Sequence, residues 1–405
     1  MRVPLSKPEI TEADISSVVD VLRSNQLSLG PRVEEFEQNF AAYVGTRHAV
    51  AVSSGTAALH LCIRALGIGA NDEVITSSFS FVASANCALF EGALPVFVDV
   101  DPVSLNLDPV SVRRFIEEEC EWHSGPEVLV DRRNGRRVRA ILPVHVFGLP
   151  CDMDPILKLA QDYRLVVVED ACEALGANYR GKGVGTFGCL ATFAFYPNKQ
   201  MTTGEGGMIV TADEELARLC RSMRNQGRDE GSCWLQHDRL GYNYRLSDVH
   251  CALGISQLRR VDGMLAAREN VASAYSRLLS TENRVCLPHS PLGCRRSWFV
   301  YVLRITPLDQ RPLKEVRDAV ILELRKRGIG AQAYFPAIHL QPYMRQYEFV
   351  VPRPLPETEA ASDSCLAIPM FAQASLAEIE AVCTNLREAL DCSVSQGSYP
   401  KEVAV

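Results

Sequence analysis

The chain has 405 residues, 47% hydrophobic and 22% charged, the balance of an ordinary globular protein long enough for two domains. A net charge of −7 argues against nucleic acid or an anionic membrane as the main partner. The most apolar stretch, Ala49–Ala70, is broken by Ser53, Ser54, Gly55, His60 and Arg64, so it does not read as a membrane span.

The first nine residues lack the apolar core of a secretion signal, and a cytoplasmic protein is expected. Fourteen cysteines without a C-x-x-C pair or regular spacing point to reduced thiols, not a disulfide framework or a zinc site. Thr11 caps a first predicted helix whose apolar face is Ile15, Val18, Val19 and Leu22. A second helix follows Pro31, turns Val33, Phe36 and Phe40 inward and stops at Gly45. A strand at Ala49–Val52 then runs into Ser53-Ser-Gly-Thr-Ala-Ala and a helix through Leu66. Strand and helix alternate over Glu73–Thr76, Ser80–Phe90, Leu94–Val98, Pro109–Glu118, Ala140–Val144, Pro155–Tyr163 and Leu165–Glu169. Buried, Val-rich strands spaced by helices predict a mostly parallel sheet in an α/β domain. Glu117–Val138, with its arginines, reads as a surface insertion, and its basic run receives no nucleic-acid role.

A helix at Asp213–Arg224 closes the sheet region, and Gly241-Tyr-Asn-Tyr-Arg-Leu-Ser-Asp leads into another, capped by Ser247. Near Arg259 the texture changes. An amphipathic helix with Val271, Tyr275, Leu278 and Leu279 on one face connects to a smaller unit. That unit holds a strand at Trp298–Ile305, a helix at Val316–Arg327 ended by Gly328, and a helix opened by the capping box Ser375-Leu-Ala-Glu. The expected division is 1–260 for a large domain, 261–392 for a small one, and 393–405 for a disordered tail.

Three places carry candidate chemistry. Lys199 sits between an apolar run (Leu190–Phe195) and a turn with Gly204, Gly206 and Gly207, followed at once by Met208–Val210. A lysine enclosed in this way can lose its proton near neutral pH and attack carbonyl carbon, although a solvated loop lysine fits the stretch as well. Asp170 stands at the carboxyl end of a buried strand, where ligands of such sheets bind; a helix N-cap is the other reading. The Ser53–Ala58 turn exposes N–H groups suited to an anion, or simply starts a helix; it lacks the spacing of a Walker loop. Together they match what pyridoxal 5′-phosphate requires: a lysine for its aldehyde, an acid for its ring nitrogen and N–H donors for its phosphate.

Ser53-Ser-Gly-Thr-Ala-Ala-Leu, Phe81-Val-Ala-Ser, Pro95-Val-Phe-Val-Asp-Val-Asp, Val168-Glu-Asp-Ala, Lys199 with Thr203-Gly-Glu-Gly-Gly, and Gly241-Tyr-Asn-Tyr-Arg occur in one order from about Pro4 to Leu390. The chain thereby resembles the DegT/StrS-type sugar aminotransferases, fold-type-I enzymes dependent on pyridoxal phosphate. The resemblance implies Lys199 as the Schiff-base lysine, Asp170 as the ring-nitrogen partner, and Thr56 and Ala57 at the phosphate. It also implies Phe81 stacked on the cofactor ring and Glu173 near the cofactor hydroxyl or the incoming amine. Asn243 would reach the phosphate of the other subunit, making a homodimer with shared sites. The implied reaction is amination of a keto group on a nucleotide-linked deoxysugar, with glutamate as donor. Arg228, Trp234, Trp298, Tyr334 and His339 are candidate sugar or nucleotide contacts. Ala194 stands where many relatives have a phosphate-binding serine, and Gln226 where histidine is common. Dehydratases of this kind carry histidine in place of the lysine, so Lys199 argues for amino transfer. A non-catalytic sugar-nucleotide-binding protein on the same fold is disfavoured by the intact Lys199 and Asp170.

Overall fold

The computed structural model describes residues 2–395 apart from Glu230, Ser232 and Asp309. Helices α1 (Glu12–Ser24) and α2 (Pro31–Val44) precede β1 (His48–Val52), α3 (Gly55–Ala65), β2 (Asp72–Ser77), α4 (Ala83–Phe90) and β3 (Leu94–Val98). Next come α5 (Pro109–Glu119), β4 (Cys120–His123), β5 (Val128–Asp131), β6 (Arg137–Leu142), α6 (Met153–Asp162) and β7 (Val166–Asp170). Short strands β8 (Asn178–Tyr179) and β9 (Lys182–Gly183) lead to β10 (Leu190–Ala194), β11 (Gly207–Thr211), α7 (Glu214–Arg224), α8 (Asp248–Leu258) and α9 (Val261–Leu278).

The main sheet runs β1-β11-β10-β7-β6-β2-β3. The four pairings from β10 to β3 are parallel, and β11 runs against both β1 and β10. Helices cover both faces, so β2, β10 and β11 are buried at nearly every position, as their β-branched and apolar sequences require. One consequence places the site. The carboxyl ends of β1, β2, β7 and β10 open on the same edge, the edge at which such sheets bind ligands.

Residues 120–131 differ from a plain surface insertion. They form a hairpin whose second strand pairs with β6, and Cys120 and Leu129 are buried in the core. Alternation of apolar and charged residues (Glu121, Leu129, Asp131) hides this strand signal among the arginines. On α1 the expected apolar face is also displaced: Asp14 and Val21 are buried, while Ile15 and Leu22 are exposed. Packing on α8 decides the rotation, because Asp14 closes a capping box with Thr11 and accepts from Gln257 and Arg260. No helix among the described residues is long and apolar enough to cross a membrane.

Beyond α9 the chain forms β12 (Val285–Cys286), β13 (Cys294–Arg295), β14 (Tyr301–Ile305), α10 (Leu313–Lys326), β15 (Gln332–Ala333), α11 (Pro356–Ser364), β16 (Cys365–Ile368) and α12 (Leu376–Ser395). A four-stranded antiparallel sheet, β12-β14-β16-β15, packs with α9, α10 and α12 around Tyr275, Tyr301, Leu324 and Leu386, while β13 pairs with β8. Phe299, Val300 and Phe335 join the core of the large sheet instead. Two boundaries depart from the expected division. Val3 belongs with the small sheet, its N–H donating to Gly328 O at 3.0 Å and its carbonyl accepting from Gly330 N–H at 2.8 Å. A side chain at Gly330 would meet Leu5 N at 2.4 Å, so glycine permits this backbone approach. At the other end α12 continues through Ser395, and the rest of the expected tail lies outside the described residues.

Candidate active site

Helix α3 begins directly after β1. Ser54 is its N-cap and accepts from Ala57 N–H at 3.1 Å. The earlier N–H groups of the first turn, on Gly55 and Thr56, have no intrahelical acceptor by the geometry of a helix start. Glycine is required at 55: a Cβ there would lie 2.8 Å from Ala194 Cβ and 3.0 Å from Cys172 Sγ. A Cβ on Gly207 would come within 2.4 Å of Ser54 O, so this turn is pressed against the start of β11. Ser54, Gly55 and Thr56 line a cavity of about 510 Å³, within the usual range of ligand pockets. Ala57 is buried beneath them with its N–H taken by Ser54, so Thr56 is the member of the expected pair that faces the space.

Asp170 enters the same cavity from the end of β7. Its Oδ1 accepts from Cys172 N–H at 3.1 Å. Burial pushes its carboxyl above the usual range, and the Cys172 hydrogen bonds and the charge of Lys199 pull it back only in part. Glu173 follows within one turn. One oxygen accepts from Phe147 N–H at 2.8 Å and the other lies 3.5 Å from Lys199 Nζ. Its carboxyl is also raised, first by burial and further by Asp170, against the lowering pull of Lys199. Lys199 itself is largely enclosed, with Nζ 3.8 Å from the centre of the Phe299 ring. The solvated-loop alternative for this lysine therefore does not hold.

Phe81 stands at the cavity wall after β2 and is 62% exposed. Ala194 also lines the cavity, next to the first turn of α3. Tyr334 faces it too, as its candidacy required, and Phe335 and Phe299 complete an aromatic wall from the small-sheet side. Phe299, Phe335, Tyr196 and Asn198 were not among the candidate contacts, and Glu205 entered only as part of the Thr203-Gly-Glu-Gly-Gly motif. Phe299 was legible only as part of a strand, and its cavity contact depends on how two distant units meet. Tyr196 and Asn198 flank Pro197 immediately before the lysine, and that adjacency was the available signal.

Other expected contacts fall elsewhere. Trp298 is buried against Tyr301, ring centres 5.4 Å apart, and its indole N–H donates to Glu269 at 2.8 Å, so it is a packing residue. His339 is held by Ser78 Oγ at 2.7 Å and does not line the cavity. Trp234 is 86% exposed and lies near the Arg228 guanidinium, outside the cavity of its own chain. Gln226 N–H donates to Tyr242 O at 2.8 Å, and Asn243, exposed, bridges Asn225. Asn243 does not line its own chain's cavity.

An amine, a buried carboxylate and a helix N-terminus converging at the carboxyl edge of a mostly parallel sheet define a fold-type-I pyridoxal-phosphate transferase. The chain belongs to the DegT/DnrJ/EryC1/StrS aminotransferase family, whose model matches residues 8–387. It is 38% identical over 392 residues to the GDP-perosamine synthase of Caulobacter vibrioides, covering 96% of this chain and 98% of that one. Among solved structures it resembles Helicobacter pylori PseC, an aminotransferase of pseudoaminic acid biosynthesis (TM-score 0.85, 27% identity, 97% and 100% of the two chains). It also resembles S. venezuelae DesV (TM-score 0.83, 32% identity, 96% and 99%). The protein is an aminotransferase, and family membership implies pyridoxal 5′-phosphate as cofactor. The residues fit that group: anion donors on α3, an acid at Asp170 and an amine at Lys199 share one enclosed space.

Proposed function

We propose that the protein transfers an amino group to the keto carbon of a nucleotide-linked deoxysugar in the cytoplasm, with glutamate as the donor. The observation that carries this reading is the shared cavity of Lys199, Asp170 and the first turn of α3. The sugar substrate is supported by the named relatives, above all the GDP-perosamine synthase, which matches over nearly its full length.

The chemistry that pyridoxal phosphate supplies when bound is an electron sink conjugated to the reacting amino carbon. Gly55 and Thr56 would offer N–H groups to its phosphate, aided by the helix dipole. Phe81 would cover one face of its ring. Asp170, ionised opposite the ring nitrogen, would hold a proton on that atom; a cationic partner restores the charge that burial disfavours in its carboxylate. Lys199 Nζ would attach to the cofactor between turnovers and, once displaced, carry the proton of the donor's α-carbon. Glu173, 3.5 Å away, keeps that amine oriented. The aromatic wall of Phe299, Tyr334 and Phe335 excludes water around these groups.

The assay is incubation of the purified holoenzyme with glutamate and a panel of keto-sugar nucleotides, identifying any aminated product by mass. A visible cofactor band abolished by borohydride, with no product from any sugar in the panel, would refute the substrate class and leave the cofactor reading standing. Shared sites are tested separately. Asn243→Asp, which sets a carboxylate against a phosphate, is mixed with Lys199→Ala under conditions of subunit exchange. In a two-fold dimer one mixed site then collects both defects and the other none, so activity should return to roughly a quarter of wild type. No recovery, with exchange verified, removes the shared-site model.

A further inference from the structure

Arg268 lies midway along α9 and is 3% exposed. Among the described residues it forms no ion pair. Its guanidinium donates instead to three carbonyl oxygens: Lys199 at 3.1 Å, Phe299 at 3.2 Å and Trp298 at 3.3 Å. Its Nε has no partner. Burial pushes the guanidinium down to about 10, with the Glu9 charge offsetting only part of that. A buried cation without a carboxylate is costly compared with an apolar side chain of the same length, so packing by itself does not account for an arginine here.

Its acceptors explain it better. Lys199, in the turn after β10, and Phe299, just before β14, are 100 residues apart and are the pair whose side chains meet in the cavity, Nζ above the ring at 3.8 Å. The adjacent residue repeats the arrangement. Gln200 Nε2 donates to Glu173 O at 2.5 Å and to Ser297 Oγ at 2.9 Å, tying the backbone of the nearby acid to the same seam. A planar guanidinium can span several carbonyls in one geometry, whereas a lysine ammonium is a single point charge.

We propose that Arg268 is the positioning residue for Lys199: by holding the Lys199 and Phe299 carbonyls on one rigid fork, it fixes the amine between the Glu173 carboxylate and the Phe299 ring. The inference rests on Lys199 being the reactive amine.

The test compares wild type with Arg268→Lys and Arg268→Met, as holoenzyme and as cofactor-free protein. In the holoenzyme, kcat per folded protein should fall by about 10- to 100-fold with the donor KM changed less than about threefold, the range expected for a displaced reacting group. In cofactor-free protein, added pyridoxal phosphate is trapped by borohydride, the labelled peptide is mapped by mass, and the pH profile of trapping at Lys199 is recorded. That profile should shift in both variants, because Arg268→Lys keeps a charge but cannot span the carbonyls. If the variants lose only thermal stability, with kcat per folded protein and the trapping profile as in wild type, the proposal is overturned. Phe299→Leu leaves the Arg268 hydrogen bonds to backbone in place but removes the ring, and should move the same profile. An unchanged profile there overturns the proposal even where neither Arg268 variant folds. Wild-type trapping at another lysine would instead refute the functional reading itself, before any variant is made.

Discussion

Glu169 and Asp170 are adjacent on β7 and both buried, but their side chains leave opposite faces of the sheet. The Glu169 carboxylate accepts from the N–H groups of Phe187 at 2.7 Å and of Gly185 and Gly188 at 2.8 Å, and His145 Nε2 lies 3.2 Å away. His145 Nδ1 accepts from Cys151 N–H, so Nε2 carries the proton that faces Glu169. Glycine is needed in that cradle, since a Cβ at 188 would meet Val167 O at 2.4 Å. Asp170, in contrast, has Cys172 as its hydrogen-bonding neighbour and opens on the cavity with its proton affinity raised by burial. The contrast separates two kinds of buried acid. One is completed by its own chain and belongs to the fold; the other is left incomplete, and the chemistry of the site supplies what it lacks.

The cavity side of this contrast should be dispensable for folding and indispensable for turnover. Lys199→Ala should therefore lower activity by about 10⁴-fold, the upper end of what a positioned acid–base group supplies. Its thermal unfolding should stay within about 2 °C of wild type, because the contacts it loses, Glu173 at 3.5 Å and the Phe299 ring, border the cavity, where water can take the place of the amine. A borohydride-reducible adduct persisting in this variant would show that another lysine reacts.

Asp170→Asn should cost about 10²- to 10³-fold in kcat, the scale of removing one electrostatic partner from a reacting centre. It should also stabilise the cofactor-free protein at neutral pH. The folded-state affinity of Asp170 for its proton is raised, so the folded chain binds more protons than the unfolded one above the ordinary value of 3.8. Stability from this group is thus lost as pH rises from there, and asparagine removes the loss. The Tm advantage of the variant should grow from acid to neutral pH; a constant or shrinking advantage would mean that Asp170 is not strained by burial.

Glu169→Gln inverts the pattern. An amide cannot accept from three N–H groups and an imidazole as a carboxylate does, so a loss of about 3 kcal/mol and a Tm lower by about 5–10 °C are expected. The kcat per folded site should stay within about tenfold of wild type. If kcat falls as far as in Asp170→Asn, the division between the two faces is wrong.

The smallest effect is expected at Ala194. Its Cβ faces the first turn of α3, so Ala194→Ser adds a hydroxyl where Thr56 and Gly55 already line the cavity. One neutral hydrogen bond is worth about 1 kcal/mol, so cofactor affinity should rise by up to about fivefold. A clear loss of affinity by fluorescence titration would show that Cys172 and Gly55 leave no room for the oxygen.

The alternation of Val-rich strands with helices and the order of the turn at Ser53, the acid at Asp170 and the lysine at Lys199 are local properties, and the amino-acid sequence by itself determined them. Period-2 and period-3.6 patterning places each strand end, and residues at strand ends of a parallel sheet converge by topology. What only the tertiary structure decided lies where segments far apart in the chain meet. Phe299 under the lysine, Trp298 turned towards Glu269 of α9, Val3 paired beside Ile329 and the rotation of α1 onto α8 all depend on contacts between elements tens to hundreds of residues apart. The two faces of β7 belong to the same class. Glu169 and Asp170 differ by one methylene in sequence, and their fates diverge because the loop at 185–188 folds back to one face and leaves the other open.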